Sequence, residues 1–189
     1  MKRIILASGS PRRRELLKDI GVEFEIFKPD VDESRHCNEA PESLCLRLSR
    51  MKAKAGASSF PNSIIIAADT IVVIDGKILG KPHDREEAFE MLKTLQAREH
   101  EVITGVSVAL NDVITSHAEH TLVKFIAMSD DEIRAYISTG ECDDKAGAYA
   151  IQGRGATLIE GIKGDYFNVV GLPLCSLCKM LKDFGVEVI

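Results

Sequence analysis

The sequence has no hydrophobic run long enough to cross a lipid bilayer. Its longest apolar stretch, Ile64 to Ile74, is interrupted by Asp69, whereas a membrane-spanning helix needs about 20 mostly apolar residues. The N-terminus also lacks the apolar segment of a secretory signal peptide, because polar residues follow directly after residues 4–7. These two absences predict a cytoplasmic protein without a membrane partner.

The cysteines have no regular spacing, which argues against a disulfide framework. The five cysteines form an odd number, and reduced thiols are usual in cytosolic proteins. Cys175 and Cys178 form a lone CxxC pair, which could be redox-active or could supply half of the ligands of a zinc site. Because the pair lies within the apolar helical pattern of residues 174–181, we expect core packing instead.

Basic residues are outnumbered by acidic ones, with 24 Lys and Arg against 29 Asp and Glu, which argues against a nucleic-acid partner. Against this background, Arg12–Arg14 stand together between a predicted strand and a predicted helix. Ser10 and Pro11 are typical of a helix start, where unpaired N–H groups favour anions and disfavour cations. The stretch therefore predicts a binding site for phosphate oxygens. The alternative is a cationic helix face that is exposed to solvent.

One carboxylate, Asp69, lies inside a run of apolar strand residues. Burying an ionised carboxylate costs several kcal/mol unless a cation or hydrogen bonds meet it. We therefore expect a partner for Asp69, and the alternative is an ordinary aspartate at the end of a strand. Lys52 and Lys81 are basic residues in unusual positions, although each taken alone is typical of a protein surface.

The hydrophobic periodicity predicts alternating strands and helices in one α/β domain. A chain of 189 residues has the size of one domain with one substantial core. The pair Asp75-Gly76 predicts a two-residue hairpin, which requires antiparallel strands, so we expect a mixed central sheet with flanking helices. The predicted strands cover residues 3–7, 22–27, 63–74, 77–79, 101–110, 113–125 and 156–162, and the predicted helices cover residues 11–21, 41–55, 84–96, 129–140 and 173–184.

Three segments, spread from residue 6 to residue 174, resemble the signatures of one family. They read LASGSPRRRELL, then AADTIVV followed by GKP, and finally DKAGAYAIQGRG with GDYFNVVGLPL. In this order and spacing they are similar to the Maf family of nucleoside triphosphate pyrophosphatases. The resemblance implies hydrolysis between the α and β phosphates of a nucleoside triphosphate, which releases a monophosphate and pyrophosphate. It also implies a mixed α/β fold similar to ITP pyrophosphatases, with two lobes around a cleft, a single domain over residues 1–189, and a homodimer.

The resemblance further implies a role for each signature residue. Asp69 is expected to be catalytic, as the proton acceptor for the attacking water, as a metal ligand, or as both. Glu33 is expected to be a second carboxylate for Mg²⁺ or Mn²⁺, which prefer oxygen ligands. Five positions are expected to bind the substrate phosphates: Ser8, Arg12, Arg13, Lys52 and Lys81.

Three positions favour the branch of the family that acts on dTTP and UTP, and on modified uridine triphosphates: Arg12, Thr70 and Gln152. The glutamine amide presents a donor and an acceptor side by side, complementary to the O4 and N3–H edge of thymine or uracil. The branch that acts on 7-methyl-GTP typically has a tryptophan in its opening motif, and this sequence has no tryptophan. Two alternatives stay open: the same chemistry on 7-methyl-GTP, and a role in septum formation, which the family name records, exercised mainly by binding.

Overall fold

A computed structural model describes residues 2–189, which form seven strands, six α-helices and two 3₁₀ turns. The strands are β1 (Ile4–Ala7), β2 (Glu25–Phe27), β3 (Ile64–Ile74), β4 (Lys77–Leu79), β5 (Glu99–Leu110), β6 (Val113–Phe125) and β7 (Ile159–Lys163). The helices are α1 (Pro11–Asp19), α2 (Pro41–Ser59), α3 (Arg85–Leu95), α4 (Asp130–Ile137), α5 (Tyr166–Val170) and α6 (Leu174–Asp183), and the 3₁₀ turns are Ala146–Ala148 and Gly153–Leu158. None of these helices combines the length and the apolar composition that a membrane crossing requires.

The strands form one mixed sheet in the order β2-β1-β3-β5-β6-β7, with β4 paired to β3. β1 is parallel to both of its neighbours, with Ile5 opposite Glu25 and Ile65, whereas β4 and β7 are antiparallel to β3 and β6. The hairpin between β3 and β4 turns through Asp75 and Gly76, which both have positive φ. The predicted hairpin and the predicted mixed sheet with flanking helices are therefore confirmed.

The chain divides into two compact units. Unit 1 comprises the chain up to Asp69, together with Thr104–Glu119 and Gly171–Ile189, and unit 2 comprises Thr70–Ile103 and His120–Val170. The boundaries fall inside β3, β5 and β6, so each of these strands contributes residues to both units. Neither unit is a continuous piece of the chain.

In unit 1, helix α2 packs directly on β3. Ala53 and Ala57 of the helix and Ile65 and Ala67 of the strand belong to one buried apolar cluster. A glycine allows the close approach, because a Cβ on Gly56 would lie 2.6 Å from Cγ2 of Ile65. Full burial of one isoleucine side chain contributes about 1.5–3 kcal/mol, so this contact fixes the helix on the sheet.

The same contact sets the direction of two charged side chains. Side chains alternate along a strand, so Asp69 lies on the face of β3 that carries Ile65 and Ala67. Residues four apart on a helix share a face, so Lys52 lies on the face of α2 that carries Gly56. Apolar packing therefore brings a lysine of α2 toward an aspartate of β3.

Unit 2 has its own core, built around α3 and α4. Both helices begin at the predicted capping residues: Asp84 and Ser129 accept hydrogen bonds from the backbone N–H three residues further on, at 2.8 and 3.3 Å. The rings of His100, Phe125 and Tyr149 lie edge to face, with centroids 5.0, 5.3 and 4.7 Å apart. Phe125 and Tyr149 are also part of the buried apolar core of unit 2.

Several expectations differ from the structure: the second helix extends to Ser59, the fourth helix ends at Ile137, and the short helix α5 was not predicted. The strand predicted at residues 22–27 is limited to Glu25–Phe27, because its pairing with β1 begins at Glu25, opposite Ile5. The strand predicted at residues 156–162 begins only at Ile159, because Gly153–Leu158 form a 3₁₀ turn. Cys175 is exposed while Cys178 is half-buried, so the expected core packing is wrong for Cys175.

Candidate active site

The turn between β1 and α1 is closed by its own serines. Ser8, directly after β1, is 6% exposed, and its Oγ accepts a hydrogen bond from the backbone N–H of Ser10 at 3.2 Å. Ser10 is the N-cap of α1, its Oγ accepts from the backbone N–H of Arg13 at 3.5 Å, and Pro11 is the first residue of the helix. The helix therefore begins where the sequence predicts, beside the buried hydroxyl of Ser8.

The Arg13 side chain is held by two hydrogen bonds within unit 1. Its Nε donates to the carbonyl oxygen of Gly171 at 2.7 Å, and its Nη1 donates to Oγ of Ser8 at 3.1 Å. Burial lowers the pKa of Arg13, while the carboxylates of Asp69 and Glu33 raise it. Because arginine stays protonated at physiological pH, the guanidinium is a positive charge that these hydrogen bonds hold in place.

Lys52 lies between two carboxylates. Its Nζ is 2.5 Å from Oδ1 of Asp69 and 2.8 Å from Oε1 of Glu33. The side chains of Lys52 and Asp69 are 11% and 14% exposed, and that of Glu33 is 58% exposed. The partner expected for Asp69 is therefore a lysine of α2, and the expectation that a cation meets this carboxylate is confirmed.

These three side chains can perform two kinds of chemistry. Together they carry one net negative charge, since a single ammonium serves two carboxylates. A positioned carboxylate can accept a proton from water, and an ammonium held in place can stabilise negative charge on a phosphoryl group. Loss of one partner from a buried ion pair typically costs about 3–5 kcal/mol, so the fold itself depends on the group.

The two carboxylates are also a donor set for a divalent cation. Glu33 and Asp69 present oxygen atoms to one point, at Nζ of Lys52, and Mg²⁺ and Mn²⁺ prefer such ligands. Across residues 2–189, no three His, Cys, Asp or Glu side chains are grouped so that they could hold a metal ion by themselves. Magnesium commonly uses one or two carboxylates together with substrate phosphates and water, so the residues fit a metal that binds with a nucleotide.

Arg47 holds the acidic loop that carries Glu33. From α2 it donates to both carboxylate oxygens of Glu39, at 2.6 and 2.8 Å, and to the carbonyl oxygen of Ser34 at 2.9 Å. The hydrogen bonds from Arg47 lower the pKa of Glu39 to about 2. Sequence reasoning missed both residues, because an acid in a loop and a basic residue on the next helix form no recognisable motif.

Two further predicted site residues adjoin this group along the chain. Arg12 is half-buried beside Arg13, and its positive charge contributes to the lowered pKa of that neighbour, after burial itself. Thr70 is half-buried and follows Asp69 on β3 as the first residue of unit 2.

Lys81 and Gln152 belong to unit 2. Lys81 follows a loop glycine, and Gln152 directly precedes a 3₁₀ turn. Lys81 is exposed and follows Gly80, whose carbonyl oxygen accepts a hydrogen bond from the backbone N–H of Gly147 at 3.0 Å. Gln152 is half-buried and is the N-cap of the turn Gly153–Leu158, without a capping hydrogen bond from its side chain. Loops rather than regular elements therefore carry both side chains.

Glu141 is a carboxylate that sequence reasoning missed. Its Oε1 and Oε2 accept hydrogen bonds from the backbone N–H groups of Arg154 and Gly155, both at 3.0 Å. It thereby caps the turn that follows Gln152. In the sequence, Glu141 is marked only by its position directly after Gly140, which follows the fourth helix. That position does not reveal that Glu141 binds the glycine-rich segment.

A family model described as Maf-like protein matches residues 3–184. Three curated relatives with the name dTTP/UTP pyrophosphatase are similar over almost the whole chain. The relative from Symbiobacterium thermophilum is 48% identical over 188 residues, which are 100% of this chain and 97% of the relative. The one from Caldanaerobacter subterraneus is 51% identical over 189 residues, covering 98% and 91% of the two chains, and the one from Bacillus velezensis is 46% identical over 186 residues, covering 98% of each.

Among solved structures, the Ham1 protein of Staphylococcus aureus has a TM-score of 0.49 and 16% identity, over 66% of this chain and 72% of that protein. A HAM1 protein from Coxiella burnetii has a TM-score of 0.44 and 13% identity, over 66% and 73%.

Proposed function

Because the chain belongs to the Maf-like protein family, we propose that it is a nucleoside triphosphate pyrophosphatase that hydrolyses dTTP and UTP. Relatives that are 48%, 51% and 46% identical over nearly the whole chain carry that name. The observation that carries the proposal is the position of Nζ of Lys52, between the carboxylates of Glu33 and Asp69. The same unit holds the guanidinium of Arg13 beside the hydroxyl of Ser8.

In the proposed reaction, water attacks the α-phosphorus of the nucleotide. The bond between that phosphorus and the oxygen that bridges to the β-phosphate breaks, and pyrophosphate leaves with the electron pair. Asp69 accepts the proton that the attacking water loses, a role that contributes typically about 10²–10⁴-fold to a rate. Arg13 and Lys52 stabilise the charge that develops on the phosphoryl oxygens and on the leaving group.

The phosphate contacts follow from the charges and donors of the opening turn. The hydroxyl of Ser8 lies beside the first turn of α1, where the helix dipole favours negative charge. Charge-assisted hydrogen bonds from arginine to phosphate are among the strong ones. We assign five residues to phosphate binding: Ser8, Arg12, Arg13, Lys52 and Lys81.

Glu33 and Asp69 are the residues that would hold Mg²⁺ or Mn²⁺. When bound, the metal supplies positive charge against the triphosphate. The chain itself keeps both carboxylates in place, because Lys52 contacts Glu33 and Asp69 and Arg47 holds the loop next to Glu33. The acids are therefore arranged by the protein.

Base selection is assigned to Arg12, Thr70 and Gln152. The amide of Gln152 can pair with the O4 and N3–H edge of uracil or thymine. The same amide turned over would suit cytosine, so selection requires that its orientation be fixed.

Four further expectations belong to this proposal. Residues 1–189 act as one domain, for which the discontinuous make-up of both units is an argument. The enzyme works as a homodimer in the cytoplasm and has no nucleic-acid partner. Light scattering on the purified protein with and without UTP tests the homodimer. A monomer under both conditions would contradict it.

Pyrophosphate release from dTTP, UTP, CTP and 7-methyl-GTP, assayed side by side with and without Mg²⁺, tests the proposed activity. We expect turnover of dTTP and UTP that depends on the metal and little turnover of the other two. Preference for 7-methyl-GTP would overturn the pyrimidine assignment. No turnover of any nucleotide, with or without Mg²⁺ or Mn²⁺, would overturn the enzymatic assignment in favour of a binding role.

A further inference from the structure

The loop that carries Gln152 is held on both sides of that residue by side chains from one region of unit 2. On the N-terminal side, the backbone N–H of Ala150 donates to Oη of Tyr136 at 3.2 Å. On the C-terminal side, Glu141 accepts from the backbone N–H groups of Arg154 and Gly155, both at 3.0 Å. Tyr136 lies on α4 and Glu141 lies in the segment that follows this helix, so neighbouring parts of the chain anchor the loop at two points.

Gln152 occupies a position where a side chain usually serves the backbone. It is the N-cap of the turn Gly153–Leu158, and N-cap side chains often accept from the N–H groups two or three residues on. Its own side chain makes no such bond. The N–H groups of Arg154 and Gly155 donate to Glu141 instead. The carboxylate of Glu141 therefore caps the turn, and the amide of Gln152 does not take part in capping.

The backbone is shaped for this carboxylate. Gly153 has a φ of 69°, a conformation that glycine adopts at little cost. A Cβ on Gly153 would lie 2.8 Å from Oε1 of Glu141, so any other residue there would push the carboxylate away. A Cβ on Gly155 would lie 2.1 Å from the carbonyl oxygen of Ala150, so the two ends of the loop also pack closely on each other.

We propose that Glu141 is a positioning residue for base selection, which together with Tyr136 fixes the backbone on the two sides of Gln152 so that its amide meets the uracil or thymine edge in one orientation. The inference rests on the proposed pyrimidine triphosphatase activity. Glu141 does not touch the substrate in this account. It acts through Gln152, since an amide that can turn over does not distinguish uracil from cytosine unless its attachment and neighbours are fixed.

The charge of Glu141 matters as well as its reach. Each oxygen of a carboxylate accepts from one of two adjacent N–H groups, and hydrogen bonds to an ionised acceptor are roughly twice as strong as neutral ones. In Glu141→Gln, one oxygen is replaced by an NH₂ group that faces a backbone N–H donor. The substitution therefore keeps the size of the side chain and breaks one of its two hydrogen bonds to the backbone N–H groups of Arg154 and Gly155.

The test compares kcat/KM for UTP and CTP in the full-length protein. We expect Glu141→Gln to lower the UTP-to-CTP ratio by about tenfold, in line with the loss of one charge-assisted hydrogen bond, and to act mostly on KM for UTP. Glu132→Gln is the matched control, because Glu132 also accepts a hydrogen bond from a backbone N–H, that of Ser129 at 2.7 Å, at the other end of α4. We expect the control to keep the wild-type ratio.

A double-mutant cycle with Gln152→Ala separates positioning from a merely structural role. We expect Gln152→Ala to lower the ratio and Glu141→Gln to lower it no further in that background. A wild-type ratio in Glu141→Gln or in Gln152→Ala, or an equal loss from Glu141→Gln in both backgrounds, would overturn the inference while the proposed activity stands. If Glu141→Gln does not fold, Tyr136→Phe removes the anchor at Ala150 and must lower the ratio instead; an unchanged ratio there overturns the inference. Failure of the wild-type protein to hydrolyse UTP would overturn the proposed function itself.

Discussion

Replacing Asp69 with asparagine separates the chemistry of the candidate active site from the folding of unit 1. The substitution keeps the shape of the side chain and one oxygen that can accept from Lys52, but removes the negative charge and the capacity to take a proton from water. A general base contributes about 10²–10⁴-fold to turnover. We therefore expect kcat for dTTP to fall by at least about 100-fold.

The effect on stability should be moderate, and the structure explains why. Breaking a buried ion pair typically costs about 3–5 kcal/mol, because one charge is left without a partner. Lys52 keeps a second partner, since its Nζ lies 2.8 Å from Oε1 of Glu33, and asparagine can still accept one hydrogen bond. We therefore expect a loss of about 2 kcal/mol, which lowers the melting temperature of a chain of this size by about 4–8 °C.

The assay measures pyrophosphate release at saturating dTTP, together with nucleotide binding and thermal unfolding of the same preparation. Asp75→Asn is the matched control, because Asp75 directly follows the same strand of the sheet, in an exposed pair with Arg98 at 2.7 Å. We expect the control to keep wild-type turnover. Turnover of more than about a tenth of wild type in folded Asp69→Asn would refute the assignment of this carboxylate.

Two further substitutions test the packing of the units. Burial lowers the pKa of His100 to about 4, so between about pH 6.5 and pH 4 the unfolded chain binds a proton that the folded chain does not, and stability is lost as the pH falls. His100→Gln should remove roughly 2 kcal/mol of this loss in the free energy of unfolding at pH 5. Urea unfolding of the wild type and the variant at pH 7.5 and 5 measures the effect. Equal losses of stability in the two proteins would contradict the account. A Cβ on Gly105 would lie 2.5 Å from the backbone carbonyl of Cys45, whereas one on Gly161 would meet nothing within 4 Å. Gly105→Ala should therefore lower the thermal midpoint, at a cost of about 1–3 kcal/mol or more, and a midpoint equal to that of Gly161→Ala would show that the second helix does not pack as described.

Local features of the fold could be predicted from the sequence because their causes lie within a few residues. Ser10 and Pro11 start the first helix as expected, since capping and the restricted φ of proline act on the adjacent backbone. Asp75 and Gly76 both adopt positive φ in the predicted hairpin. The short second strand was harder to delimit, because strand ends depend on pairing with a neighbour rather than on the residues alone.

That a cation meets Asp69 could be predicted from the sequence, but which residue supplies it could not. An aspartate inside an apolar run requires a partner, but the sequence does not say that Lys52, 17 positions earlier, supplies it. That pairing depends on how the second helix lies on the third strand, which is decided by small residues such as Gly56 against Ile65. Glu141 could not be found at all, because it binds backbone N–H groups, which are the same at every position of a sequence. Arg47 could not be found because its pair with Glu39 forms no recognisable motif.

The charges of unit 1 also explain why the proposed activity calls for more cations than this group contains. Lys52 and Arg13 carry two positive charges, and Glu33 and Asp69 carry two negative ones, so the group is neutral as a whole. A nucleoside triphosphate brings about four negative charges, and the transition state places more of them on the leaving pyrophosphate. The proposed divalent cation would supply two positive charges against this excess. Because Glu33 and Asp69 are the acids that converge on one point of this unit, removal of either should raise the Mg²⁺ concentration required for half-maximal turnover, whereas a substitution at an exposed acid such as Asp75 should not.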